Sequence, residues 1–201
     1  DFNTAFVVET FLDELAHRAK KDPLEYRRRL IKNDPRRVEV LNLAAEKGSW
    51  GAPVAAGSGR GIACHWYRGT WVAAVAEVSI VDGKLVIDRI VCAVDCGRVI
   101  NPDGARVQAE GAIIFGLKCT LYSKITFRDG KLEQSNFDGD PLLRIDAAPR
   151  IEVYFADRVD QPPTGMGEVT STSVAPAVCN AVFAATGRRI RTLPLADVIK
   201  V

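Results

Sequence analysis

Residues 70–94 read TWVAAVAEVSIVDGKLVIDRIVCAV, and this stretch decides the fold class. Its halves, Thr70–Val81 and Lys84–Val94, are rich in β-branched residues and meet at Asp82-Gly83. A two-residue hairpin turn needs positive φ at its centre, which Asp-Gly tolerates, so an antiparallel pair is expected. A second such turn, Asp129-Gly130, lies between Lys124–Phe127 and Lys131–Leu132, and Ile151, Val153 and Phe155 alternate as a further strand. Helices are predicted at about 102–118, after Asn101-Pro102, and at about 175–186, ending at Gly187. Hairpins interspersed with helices give an α+β class, a mostly antiparallel sheet with packed helices.

Upstream of the hairpin the pattern is helical. Val8, Phe11, Leu12, Leu15 and Ala19 keep a helical period and are read as one apolar face. Asp22-Pro23 and Asp34-Pro35 each place an N-cap acid before a proline at N1. The helices they open would carry Leu24, Tyr26, Leu30 and Ile31, then Val38, Val40, Leu41 and Leu43. Gly48 to Gly61 holds five glycines and reads as a connecting loop, dividing a helical segment, 1–50, from an α+β domain, 60–201.

With 47% hydrophobic and 26% charged residues, the 201-residue chain has the composition of a globular protein. Basic and acidic residues, 27 and 25, are mixed throughout. The runs Arg27-Arg28-Arg29 and Arg188-Arg189 with Arg191 are read as solvated helix ends, and without interleaved aromatics they do not point to nucleic acid. No stretch approaches the roughly 20 apolar residues of a membrane span. The opening Asp1-Phe2-Asn3-Thr4 has neither Met nor a signal-peptide pattern and reads as a position inside a longer protein. The compartment stays open.

Most reactive constellations can be set aside. Cys64, Cys92, Cys96, Cys119 and Cys179 are odd in number and irregular in spacing, so each is read as a small buried apolar residue. Cys92 and Cys96 on one strand would stand roughly 13 Å apart, too far to bridge or to share a zinc. His17 and His65 are far apart in sequence, and Cys64 and His65 on a strand would face opposite sides. Gly57-Ser58-Gly59-Arg60-Gly61 lacks a P-loop lysine.

Pro162-Pro163-Thr164-Gly165-Met166-Gly167-Glu168 stands out. Prolines and glycines fix an irregular turn, a single carboxylate follows, and then come Val169 and four hydroxyl residues, Thr170 to Ser173, before an apolar helix. Hydroxyls and free N–H groups at a helix start suit an anion, and a glutamate beside them can serve as a general base. The alternative is that Glu168 only caps the helix.

The same residues carry a family resemblance. Gly165-Met166-Gly167-Glu168, with Val174-Ala175-Pro176-Ala177-Val178 and Asn180-Ala181, resembles the catalytic Gly-X-Gly-Glu segment of molybdenum hydroxylases. Asp95-Cys96-Gly97-Arg98, Asn101-Pro102, Gln108, Glu110-Gly111 and Gly116-Leu117 match in order, as do Asp13 to Ala16, Asp22-Pro23, Arg27 and the close Thr186 to Leu195. The chain therefore resembles the C-terminal part of the molybdenum-cofactor subunit of the xanthine dehydrogenase/aldehyde oxidase family. The details, including Gln134-Ser135-Asn136-Phe137, are most similar to isoquinoline 1-oxidoreductase large (beta) subunits. Seven residues after Gln108, where many members carry a second glutamine, this chain has Phe115.

That resemblance implies a molybdopterin-binding domain at 60–201 and a molybdenum–molybdopterin cofactor, with a cytosine dinucleotide form among the options. Glu168 would take a proton from metal-bound hydroxide as it attacks an electron-poor carbon of an aldehyde or N-heterocycle. Gln108 would hydrogen-bond the pterin, and Gly165, Met166 and Gly167 would approach the metal site by their backbone, with no protein side chain ligating the metal. Electrons would leave through iron–sulfur clusters on a partner subunit. Members are several times longer, so the isolated chain is expected to be inactive without the upstream part of the molybdenum subunit. A non-catalytic α+β domain serving assembly or partner binding is the rival reading.

Overall fold

The computed structural model describes residues 1–156 and 158–201. Among these residues five α-helices, α1 (Phe2–Arg18), α2 (Pro23–Leu30), α3 (Pro35–Lys47), α4 (Pro102–Leu121) and α5 (Val174–Thr186), surround a sheet. Four strands in the order β1-β2-β3-β6 form it: β1 (Ser58–Tyr67), β2 (Thr70–Val81), β3 (Lys84–Asp95) and β6 (Arg150–Phe155). The first three pair antiparallel and β6 runs parallel to β3, so the α+β class with a mostly antiparallel sheet holds. Asp82 and Gly83 take φ of 51° and 75°, and Asp129 and Gly130 take 50° and 74°, as two-residue hairpin turns require. The second hairpin is small, with β4 (Phe127–Arg128) and β5 (Lys131–Leu132).

The sheet is buried on both faces. Ala63, Val72, Ala74, Val78, Ile90 and Val94 join a core with α4 and α5, while Ile62, Cys64, Ala73, Val75 and Ala93 join another with α2 and α3. A strand sends alternate side chains to opposite faces, so a strand covered on both sides is apolar throughout, as 71–76 is.

Gly48 to Gly61 is only partly a loop, because β1 begins at Ser58. Gly59 and Gly61 are there for packing. A Cβ at Gly61 would sit 2.2 Å from the Ala177 oxygen, and one at Gly59 would sit 2.4 Å from the Ala181 oxygen. β1 thus lies directly against the small-residue side of α5. The stretch Val169–Thr186, which leads into and includes α5, is 18 residues long and matches a membrane span in length and composition. This corrects the expectation that no stretch approaches a span; 78% of it is buried inside this fold, which makes it a core element here.

The face of α1 differs from expectation. Val8 and Phe11 are 44% and 57% exposed, and the buried stripe is Ala5, Phe6, Glu9, Asp13 and Ala16. Two carboxylates point inward because cations meet them there. Glu9 Oε2 accepts from Arg27 Nε at 2.8 Å and from the Cys64 N–H at 3.0 Å, and Arg27 also donates to the Glu9 carbonyl. Asp13 accepts from Arg189 at 2.6 Å. Arg27 is therefore not part of a solvated run: its side chain is 2% exposed. A buried charge is tolerated only when paired and hydrogen-bonded, and this seam fastens α1 to α2 and β1.

Candidate active site

The loop 162–168 is held from two sides. The β1–β2 turn, Arg68-Gly69, has φ of 54° and 84°, and a Cβ on Gly69 would come within 2.9 Å of the Thr164 methyl. Arg68 O accepts from the Gly165 N–H at 3.3 Å. The buried Thr70 hydroxyl meets that of Thr164 at 2.7 Å and donates to Gly165 O at 2.6 Å. Just after β3, Cys96 O accepts from the Thr164 N–H at 2.8 Å. There Gly97, at φ 70°, leaves no room for a side chain, since its Cβ would fall 2.0 Å from the Pro162 oxygen. On the opposite side Gln108, on the outer surface of α4, donates its amide N–H to the Gly167 carbonyl.

The loop ends at Glu168, whose side chain is exposed. Its Oε1 accepts from the Tyr67 hydroxyl at 3.2 Å. Phe2, Tyr67, Phe115, Cys119 and Ser171 surround it in a cavity of about 240 Å³. Burial pushes the Cys119 thiol up, so this sulfur is a neutral, soft part of the wall.

The hydroxyl run does not form the expected anion site. Residues Val169–Ser173 make a 3₁₀ turn, and Ser171, Thr172 and Ser173 donate back to the carbonyls of Glu168, Val169 and Thr170. Thr170 donates to Ala109 O of α4. All four hydroxyls thereby satisfy backbone carbonyls. Nor does Glu168 cap a helix through its side chain, since it starts the 3₁₀ turn without a capping bond. Its carboxylate is left to Tyr67 and the cavity.

Gln108, Gly165, Met166, Gly167 and Glu168 are thus gathered at one place, with Met166 turned toward the core. Sequence reasoning missed Tyr67 and Thr70. The signal for them was Gly69, a turn glycine between two strand-like runs, but its partner loop lies about a hundred residues on.

Two other expectations concerned metal and thiols. Among the described residues no three His, Cys, Asp or Glu side chains converge on a possible metal position. The five cysteines are free; four are buried and Cys119 is half-buried. Cys96 lies just beyond the end of β3, so it and Cys92 are not on one strand. A cofactor here would be met by an amide, uncovered glycine backbone and a carboxylate. An added Cβ at Gly167 or Gly111 would touch nothing within 4 Å, and Phe115, which lines the Glu168 cavity, is 61% exposed. This donor set suits a group edged with hydrogen-bonding heteroatoms that brings its own metal.

The profile of the molybdopterin cofactor-binding domain matches residues 12–149. The chain belongs to this family. It is 34% identical to the beta chain of isoquinoline 1-oxidoreductase from Brevundimonas diminuta, over 94% of its own length and 25% of that protein's. It is 33% identical to a polypeptide of the nicotinate dehydrogenase of Pseudomonas putida, over 95% of its length and 18% of the relative's. The aldehyde oxidoreductase of Desulfovibrio desulfuricans superposes with a TM-score of 0.54 at 27% identity, covering 62% of this chain and 14% of that one. The chain thus spans about a quarter or less of the length of these family members.

Proposed function

We propose that this chain supplies the C-terminal part of the active site of a molybdenum hydroxylase that oxidises an aldehyde or an N-heterocycle with oxygen from water. The observation that carries the reading is Glu168. It is an exposed carboxylate at the end of a loop fastened by Gln108 and Thr70, freed from any capping bond and facing a cavity with aromatic walls. Its role is to accept a proton, and the fixed loop keeps its backbone at the edge of the cavity. Gln108 holds Gly167 in place and offers the rest of its amide to the edge of a pterin, in this reading the cytosine dinucleotide form. The backbone of Gly165, Met166 and Gly167 admits the group closely because two of the three carry no side chain. The cofactor, when bound, supplies the two-electron redox centre and lowers the pKa of water at the metal.

The remaining walls belong to the upstream part of the molybdenum subunit, and an iron–sulfur subunit takes the electrons. The isolated chain is accordingly inactive. In the complete enzyme Glu168→Gln keeps shape and hydrogen bonding but loses proton acceptance. Turnover should fall about 10²–10⁴-fold with molybdenum content unchanged. Full turnover in a molybdenum-loaded variant would end the assignment.

A further inference from the structure

Tyr67 is the one side chain that hydrogen-bonds the Glu168 carboxylate among the described contacts, and it comes from a different part of the fold. It is the last residue of β1, with Arg68-Gly69 turning the chain immediately after it. That turn is fastened to the same loop that carries Glu168, through Gly165 N–H to Arg68 O, Thr70 to Gly165 O, and the contact of Gly69 with Thr164. Phenol and carboxylate are therefore fixed relative to one another by backbone, although 101 residues separate them. The Arg68 guanidinium lies 5.4 Å from the centre of the Tyr67 ring and its positive charge also acts on Glu168, while Asp1 lines the same cavity as Glu168.

We infer that Tyr67 is a positioning residue for Glu168: its hydroxyl holds one carboxylate oxygen and leaves the other turned into the cavity to receive a proton. This rests on the reading of Glu168 as base. A phenol suits the task because it donates one bond and carries no charge. It stabilises the ionised carboxylate without neutralising it, as a lysine or arginine would do more strongly. It also supplies an aromatic wall to the cavity at no further cost in ordering, since its ring already lines the space. Tyr67 acts through Glu168 and touches no reacting atom itself.

The variant is Tyr67→Phe in the complete enzyme, which keeps the ring and removes only the hydroxyl. Losing an O–H donor removes a bond that favours the charged carboxylate over the neutral acid. A base works in its charged form, and the acid limb of the kcat/KM profile should therefore move to higher pH. Turnover near that limb should fall on the order of tenfold, with molybdenum content unchanged. A second measurement does not depend on activity. Carbodiimide couples only to protonated carboxyl groups, and peptide mapping reads the extent at Glu168 against pH. Labelling at Glu168 should persist to higher pH in Tyr67→Phe than in the wild type. If neither profile moves, the inference is overturned. If the labelling shifts while Glu168→Gln remains fully active, Tyr67 does hold Glu168 but the reading of Glu168 as base has failed.

Discussion

Glu9 and Glu168 are both glutamates that touch β1, and the chain treats them in opposite ways. Glu9 lies wholly inside, with Arg27 and the Cys64 N–H donating to one of its oxygens and Arg37 3.8 Å from the other. Glu168 lies at the surface with one phenol for a partner and a cavity beside it. A buried carboxylate paired with cations serves to fasten helices together. A carboxylate with a single neutral donor keeps lone pairs available for chemistry. Burial and partner charge separate the two roles, and residue type does not.

The largest effect expected from breaking this contrast is on the Glu9 side. Arg27→Ala leaves Glu9 buried beside Arg37 alone and should destabilise the fold by roughly 3–5 kcal/mol in denaturant titration of the complete enzyme. The same titration on Glu168→Gln should move by less than about 0.5 kcal/mol, because that side chain is exposed. Comparable losses in both would erase the distinction.

A smaller effect sharpens it from the backbone. Asn180 of α5 donates to Ile62 O at 3.1 Å and sits against the Glu9 carbonyl, so the seam depends on α5 lying close to β1. Gly61→Ala places a methyl 2.2 Å from the Ala177 oxygen and should cost about 1–3 kcal/mol of stability by pushing the two apart. Gly111→Ala, where the methyl meets nothing, should be close to neutral or slightly stabilising in the same denaturant titration.

Glu152 stands between the two extremes. Arg89 donates to it at 2.7 Å, and together with the Tyr154 hydroxyl and the charge of Arg150 it holds this carboxyl down at about 2. A depressed carboxyl stabilises the folded state fully above its ordinary value of 4.5, and that contribution is lost as pH falls toward 2. Acid titration between these limits should weaken the β3–β6 edge by roughly 1–2 kcal/mol after solvent screening. Glu152→Gln should remove that part of the pH dependence, read as a flatter profile of thermal midpoint against pH.

Much of this was local and therefore legible in the sequence. Asp82-Gly83 and Asp129-Gly130 dictate turns because their backbone angles are a property of those residues. The Asp22-Pro23, Asp34-Pro35 and Asn101-Pro102 pairs begin α2, α3 and α4, with each cap side chain accepting backbone N–H bonds. The loop 162–168 announced itself by prolines and glycines that no regular element would carry. What the sequence left undecided was everything that depends on a partner distant along the chain. Helical period alone put Val8 and Phe11 inward, whereas the cations at Arg27 and Arg189 turned Glu9 and Asp13 there instead. Gly59 and Gly61 looked like loop residues until α5 came to lie on them. The hydroxyls of 170–173 looked free for a ligand until the buried backbone claimed them. Tyr67 met Glu168 only because the β1–β2 turn folds onto the far loop. Turn and cap preferences act within a few residues, but burial, ion pairing and close backbone approach are set by which segments meet, and only the tertiary structure decides that.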